Sequence, residues 1–149
     1  MIVGAYRPED AVAIAGGCLC RAVRFEIDAE SPLAVRQCWC RVCQYLGGGA
    51  GIVGAAFPKA AMTASGPLID YVSRADSGSV MHRRFCSRCG TPIFSEAEPR
   101  PHLIFVRVGA LDNPNLARPT AAIWTTSAPE WACFDPNLEL IAGQPPPTT

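Results

Sequence analysis

The sequence predicts an all-β domain of many short antiparallel strands, wrapped as a small barrel or as folded-over sheets. Three observations support this class. Short apolar segments recur along the chain with period-two alternation, Gly and Pro residues separate them, and 14 prolines leave little room for long helices. With 149 residues, 49% of them hydrophobic and 17% charged, the chain has the size and composition of one globular domain with a core.

The clearest strand pattern lies at residues 21–28. Val23, Phe25 and Ile27 alternate there with charged residues, as expected for a half-exposed strand. Helix signals are weak, and residues 58–64 are the only candidate for a short helix or 3₁₀ segment, with Pro58 in its first turn. The other predicted strands cover residues 51–57, 68–73, 79–85, 102–111 and 121–126.

The charge balance and the chain's start limit the classes of partner. Lys plus Arg and Asp plus Glu both number 13, so the net charge is zero and does not favour nucleic acid or a membrane surface as a partner. No apolar run reaches the roughly 18–20 residues of a membrane span. The N-terminus has no basic start and carries Glu9 and Asp10 before a short apolar piece, unlike a signal peptide. We therefore expect a cytoplasmic protein with no nucleic-acid or membrane partner.

Seven of the eight cysteines fall into three clusters, and Cys133 stands alone. In a reducing cytoplasm, clustered cysteines are more often metal ligands than disulfides. A structural zinc is closed by four ligands, whereas a catalytic zinc has three protein ligands and an open position. Joining the two pairs closes one site without splitting a cluster, and it leaves the triplet with an open corner. The pairs are Cys18 with Cys20 and Cys86 with Cys89, and the triplet is Cys38, Cys40 and Cys43.

Several alternatives remain open at these positions. The clusters could instead form disulfides, an iron–sulfur cluster on the triplet, or a redox-active C-x-x-C pair. Cys133 is expected to be a buried free thiol, with a fourth ligand for the triplet as the alternative. We expect His82 to be a surface or hydrogen-bonded residue rather than a ligand, and Trp124 and Trp131 to pack in the core. Trp39 separates two predicted ligands and must either cover the metal or pack below it.

The order and spacing of these motifs resemble those of the glutathione-dependent formaldehyde-activating enzyme family. The resemblance rests on G-G-C-x-C at residues 16–20, C-x-C-x-x-C at 38–43 and C-x-x-C-G at 86–90. It covers residues 15–143, and it leaves residues 1–14 as an N-terminal extension and 144–149 as a flexible Pro-rich tail. Two positions differ from the family pattern, since Trp39 and Ala122 stand where members often have histidine.

The resemblance implies a Mss4-like fold, which is an all-β coil of short antiparallel sheets with zinc knuckles and little helix. It implies a structural zinc on the two pairs and a catalytic zinc on the triplet, the latter open to partial occupancy. The implied activity is that of a carbon–sulfur lyase, in which glutathione and formaldehyde form S-hydroxymethylglutathione. The partners would then be a small thiol and an aldehyde, and the candidates for holding the carboxylates of the thiol are Arg41, Arg83, Arg84 and Arg88.

The alternative is a non-catalytic zinc-binding scaffold or chaperone-like interaction module of the same fold. The sequence does not decide the substrate, the metal loading of the triplet or the oligomeric state.

Overall fold

The structure is a computed structural model that describes residues 14–148. Over this range the chain forms short strands, one short helix and four 3₁₀ turns. The 3₁₀ turns span Lys59–Ala61, Val108–Ala110, Pro114–Leu116 and Thr125–Ser127. The strands and helix are β1 (Ile14–Gly17), β2 (Arg24–Ile27), β3 (Ala34–Cys38), α1 (Arg41–Leu46), β4 (Ile52–Pro58), β5 (Met62–Ser65), β6 (Leu68–Arg74), β7 (Val80–Cys86), β8 (Pro92–Ala97), β9 (Leu103–Arg107), β10 (Ala121–Ile123) and β11 (Glu139–Leu140).

The strands form two sheets. The smaller has the order β1-β2-β5, and the larger has the order β11-β10-β3-β4-β9-β8-β7-β6. All strand pairs are antiparallel except β10, which runs parallel to both β3 and β11. The prediction of a mostly β fold with little helix is confirmed. The parallel pairs were not expected, because parallel neighbours need a connection of a dozen or more residues and the local sequence pattern does not show which distant segments meet.

Local patterns located several strands. Val23, Phe25 and Ile27 are buried as their alternation predicts, and β4, β6 and β7 lie within two residues of the predicted segments. The strand predicted for residues 102–111 ends earlier, because the chain enters a 3₁₀ turn at Val108. The helical candidate at 58–64 is a single 3₁₀ turn followed directly by β5. The elements that were not predicted are α1 and the strands β1, β3, β5, β8 and β11.

The hydrophobic core lies between the two sheets. Phe25 and Ile27 from β2 contact it from the smaller sheet, and Phe57 and Val106 from β4 and β9 from the larger one. Each of these side chains is almost fully buried, and full burial of one such side chain contributes about 1.5–3 kcal/mol. Alternate residues of the larger sheet therefore face away from the core, and they are free to form a binding surface.

The structure describes one residue of the predicted N-terminal extension and most of the predicted C-terminal tail. The extension predicted for residues 1–14 lies outside the described residues except for Ile14, which starts β1. In the predicted tail, Pro145 is buried and the Trp124 indole donates a hydrogen bond to Gln144. Across residues 14–148, no helix has the length and apolar character that crossing a membrane requires.

Candidate metal centres and ligand cleft

The first cysteine group joins turns from both sheets. Cys18 and Cys20 lie between β1 and β2, and Cys86 and Cys89 lie where β7 turns towards β8. The four Sγ atoms lie within 4.8 Å of one another. The Cys18–Cys20 sulfurs are 3.5 Å apart and the Cys20–Cys86 sulfurs 3.8 Å. A tetrahedron with Zn–S bonds of 2.3 Å has sulfurs about 3.8 Å apart, so these distances fit a closed zinc site.

Local backbone geometry aims these sulfurs. Arg21 N–H donates to the Cys18 carbonyl, and Arg21 adopts a left-handed φ of 65°. In the second turn Gly90 N–H donates to the Cys86 carbonyl, and Gly90 adopts a positive φ of 76°, which glycine tolerates without strain. Backbone N–H groups also reach the sulfurs, from Val23 to Cys18 Sγ at 3.2 Å and from Arg88 to Cys86 Sγ at 3.3 Å. The first pair lies on a turn, because the chain must reverse there to reach β2.

The second cysteine group lies at the start of α1. Cys38 ends β3, Cys40 is the residue before the helix and Cys43 is in its first turn. Their Sγ atoms also lie within 4.8 Å of one another. The Cys40 sulfur accepts a hydrogen bond from Cys43 N–H at 3.4 Å, so a predicted ligand also caps the helix. The unpredicted helix α1 is therefore part of the site.

The sulfurs within each group are hydrogen-bonded to one another, and this shifts their pKa values. Hydrogen bonds from Cys38 and then Cys43 lower the pKa of Cys40 to about 2, while the hydrogen bond with Cys40 raises the pKa of Cys38 far above its usual range. In the four-cysteine group, hydrogen bonds from Thr91 lower the pKa of Cys89 to about 5. The pKa of Cys18 is lowered as well, because burial is outweighed by the backbone hydrogen bond from Val23 and by those from neighbouring thiols. Metal binding at either group has to release the remaining thiol protons.

The structure bears on two of the alternatives for the cysteines, namely disulfide formation and the role of Cys133. None of the eight cysteines is in a disulfide. Cys133 belongs to neither sulfur group and is exposed, with its thiol directed at the Trp131 carbonyl. The expectation that Cys133 is buried is wrong, and the fourth corner of the triplet is not filled by it.

A cleft covers the three-cysteine group, on the face of the larger sheet that points away from the core. Its cavity volume is about 140 Å³, and Cys38, Cys40 and Cys43 line one end. Strand register places Cys38 beside Ile52 on β4 and Ile123 on β10. The next row along the sheet is Arg36, Gly54 and Arg107, one on each of β3, β4 and β9. Rows two residues apart are separated by about 6.6–6.8 Å along a strand, so this arginine row lies one step from the sulfurs.

The cleft is strongly cationic. Arg36, Arg83, Arg100 and Arg107 line it, and Asp76 is the one carboxylate among its described lining residues. None of the four arginines forms an ion pair with a carboxylate between residues 14 and 148. They contact neutral groups instead: Arg83 donates to Ser73 Oγ at 2.5 Å and Arg107 to Ser95 Oγ at 3.2 Å. Burial lowers the pKa of Arg107, although a guanidinium remains charged.

Only one of the four arginines predicted to hold carboxylates lies in the cleft, namely Arg83. Arg84 pairs with Asp70, and the Arg41 guanidinium stacks on Tyr45. Arg88 lies in the turn of the four-cysteine group, where its N–H binds Cys86. Arg36, Arg100 and Arg107 were missed. A signal for Arg36 was present, because it precedes Cys38 by two residues and must share its face of a strand.

The three tryptophans have different positions relative to the cleft. Trp39 is buried, and its ring makes edge-to-face contacts with Phe134 at 5.6 Å and Trp131 at 6.5 Å. It therefore packs away from the cleft rather than covering the sulfurs. Trp131 is 65% exposed, so the expectation that it is a core residue is wrong. Trp124 is half-buried and lines the cleft, in a left-handed conformation with φ 56°. The expectation of core packing is therefore wrong for Trp124 as well.

Two further residues complete the surroundings. Gln44, which was not singled out, is buried and donates to the carbonyls of Trp39 and Ser127, both at 2.8 Å. These two hydrogen bonds connect the three-cysteine group to the segment after β10. His82 lies outside the cleft, with Nδ1 2.7 Å from Asp70 and Nε2 3.0 Å from Glu98. The expectation of a hydrogen-bonded surface histidine is confirmed.

Comparisons with known proteins agree with this arrangement. A structure of a Rhodobacter sphaeroides protein has the same fold, with a TM-score of 0.54 at 23% identity, covering 68% of this chain and 93% of that one. A Halomonas elongata protein named "Putative glutathione-dependent formaldehyde-activating enzyme" is 25% identical over 138 residues, which cover 87% of each chain. The sequence model of the glutathione-dependent formaldehyde-activating enzyme family matches residues 13–127. This match spans both cysteine groups and most of the cleft, and the chain belongs to the glutathione-dependent formaldehyde-activating enzyme family.

Proposed function

We propose that the protein is a zinc-dependent enzyme of the carbon–sulfur lyase type, which joins a thiol to an aldehyde or splits the adduct. One observation carries the proposal: three convergent cysteine sulfurs form one end of a cleft whose four arginines have no carboxylate partner among the described residues. A purely structural metal site would need neither the cleft nor the free cations. The scaffold alternative therefore has less support.

The two sulfur groups fit zinc in different ways. Cys18, Cys20, Cys86 and Cys89 would hold a structural ion with all four corners filled. Cys38, Cys40 and Cys43 would hold a second ion and leave one corner for substrate. When bound there, zinc supplies Lewis acidity, which polarises a carbonyl and lowers the pKa of a thiol.

The cationic row favours a thiol with two carboxylates. Arg36 and Arg107 lie on either side of Gly54, one row from the sulfur end. Gly54 has no side chain, and a Cβ there would lie 3.6 Å from Arg107 Nη1, so the Arg107 guanidinium lies beside the backbone at the centre of the row. Glutathione suits this layout because its thiol is on the central residue and its two carboxylates are on the outer residues. Bidentate arginine–carboxylate contacts would orient the thiol towards the cysteines.

Other residues of the cleft control water and charge. Ile52 and Ile123 flank Cys38 and present apolar surface around the sulfurs, which limits the access of water to the reacting end. Arg83 and Arg107 also offset the negative charge of the cysteine thiolates and of an incoming substrate thiolate. The cysteines must stay reduced for this chemistry, so we place the protein in the cytoplasm.

The experiment combines metal counting with thiol selectivity. Purified protein should hold two zinc ions per chain, and Cys40→Ser should hold one, stay folded and lose acceleration of the thiol–formaldehyde reaction. Arg107→Gln should weaken glutathione binding by about 10- to 100-fold, because a charge-assisted contact contributes about 1.5–3 kcal/mol. Binding of 2-mercaptoethanol, which has no carboxylate, should weaken far less, because only the contribution of Arg107 to the charge balance of the thiolate is lost. A single zinc in the wild type, or unchanged catalysis by Cys40→Ser, contradicts the proposal.

A further inference from the structure

The C-terminal segment forms one wall of the cleft. We call residues 143–148 the C-terminal strap. Upstream of it, Ile141 N–H donates to the Ala122 carbonyl on β10, and Thr126 Oγ1 donates to the Ala142 carbonyl at 2.8 Å. Within the strap, Pro145 is buried, and Arg36 Nη2 donates to the Pro146 carbonyl at 3.4 Å. The strap therefore lies against the domain on the Arg36 side of the cleft.

The strap holds an aromatic wall in position. Trp124 N–H donates to the Gly143 carbonyl at 3.3 Å, and its indole Nε1 donates to Gln144 Oε1 at 3.0 Å. Both Trp124 and Gln144 line the cleft. The left-handed backbone of Trp124 is unfavourable for a residue with a side chain, so contacts at both its backbone and its ring are needed to keep it there.

The strap also lies beyond the end of the family match. The family match ends at residue 127, whereas Gln144 and Thr148 both contribute to the cleft. Trp124 lies inside the matched region but is positioned by a residue beyond it. The Arg36 side of the cleft is thus built by residues inside the family match and by residues beyond its end.

We propose that Gln144 is a positioning residue that sets thiol specificity, by holding the Trp124 indole against the arm of the ligand that reaches Arg36. The proposal rests on the proposed function, since it takes the ligand to be a branched thiol with one arm on each side of Gly54. Glutathione has two such arms, and each can be removed separately. γ-Glutamylcysteine lacks the glycine arm, and cysteinylglycine lacks the γ-glutamyl arm.

The test compares these three thiols by calorimetric titration of zinc-loaded protein. Gln144→Ala should weaken binding of glutathione by about three- to tenfold, as expected for one lost hydrogen bond that orders a wall. The dipeptide that keeps the Arg36-side arm should lose affinity by the same factor as glutathione. The other dipeptide should bind Gln144→Ala and the wild type equally well. Gln144→Glu keeps an oxygen acceptor for the indole. It should therefore show the same difference in affinity between the two dipeptides as the wild type. Asn115→Ala removes an exposed amide outside the cleft, and it should leave all three affinities unchanged.

A second readout does not depend on thiol or metal. In a Trp131→Phe background, the remaining indoles are the buried Trp39 and the cleft residue Trp124. Gln144→Ala should then increase quenching of the fluorescence by acrylamide, and Asn115→Ala should not. Equal losses for all three thiols, no loss for any, or unchanged quenching overturn the role of Gln144 while the proposed function stands. A wild type that binds none of the three thiols overturns the proposed function, and this inference with it.

Discussion

Loss of one ligand from the four-cysteine group should destabilise the whole domain. The group joins the β1–β2 turn of the smaller sheet to the β7–β8 turn of the larger one, and Cys20 and Cys86 are 66 positions apart. A crosslink that closes a loop of this length restricts the unfolded chain by about 4 kcal/mol. Domains of this kind have total unfolding free energies of only about 5–15 kcal/mol. The crosslink therefore accounts for a large share of stability.

The perturbation is Cys89→Ser, and its matched control is Cys43→Ser. Both are half-buried second cysteines of a C-x-x-C pair, but the three-cysteine group closes only the segment from Cys38 to Cys43. We expect Cys89→Ser to lower the melting temperature by about 8–16 °C, taking about 2–4 °C per kcal/mol for a chain of this size. Cys43→Ser should lower it by far less, because so short a closed segment adds little restriction to the unfolded chain.

The assay is thermal unfolding followed by circular dichroism, with zinc measured on the same samples. A strong zinc chelator should reduce the melting temperature of the wild type to that of Cys89→Ser. If Cys89→Ser melts within about 3 °C of the wild type, or if Cys43→Ser is the more destabilising change, the structural assignment of the four-cysteine group is refuted.

Three further changes test the cleft, a charged cluster and a turn. Gly54→Val should place a side chain against the Arg107 guanidinium and weaken glutathione binding, with an unchanged circular dichroism spectrum, because a Cβ at residue 54 would lie 3.6 Å from Arg107 Nη1. The pKa of His82 is raised by Asp70 and then Glu98, so the stability it provides is present below its unfolded pKa of about 6.5 and is lost as the pH rises through the higher folded value. Urea unfolding should therefore show a fall in stability from about pH 6 upwards that His82→Gln lacks. Gly66→Ala should destabilise by about 2 kcal/mol or more, measured by urea unfolding, because its φ is 109° and a Cβ there would lie 2.2 Å from a backbone oxygen.

The sulfur groups could be predicted from sequence because their chemistry is local. A C-x-x-C turn brings its own two sulfurs together, and zinc requires a count of three or four ligands, so cluster sizes alone divided the seven cysteines. The resemblance to a family pointed to the same division. The spacing of the cysteines did not predict their local conformation. Cys18 and Cys20 lie on a turn, and Cys40 caps a helix.

The arginines of the cleft could not be chosen in the same way. Arg36 and Arg107 are neighbours of Gly54 only because β3, β4 and β9 pair in one register. That register depends on which face of each strand meets the core, and it joins residues from opposite halves of the chain. Sequence proximity to a cysteine favoured Arg41 and Arg88, which lie outside the cleft. The exposure of Trp131 was missed because a large apolar side chain is by default a core residue, and only the tertiary packing leaves this one 65% exposed.

The separation of the two sulfur groups has a consequence for how this fold can vary. The four-cysteine group connects the sheets, so its residues are constrained by stability of the whole domain. The three-cysteine group is held by the end of β3, the cap of α1 and the buried Gln44, all of which lie within a few residues of it. Its geometry therefore does not depend on the cleft walls. Changes in Arg36, Trp124 or the C-terminal strap can alter which thiol is bound and still leave the sulfurs in place.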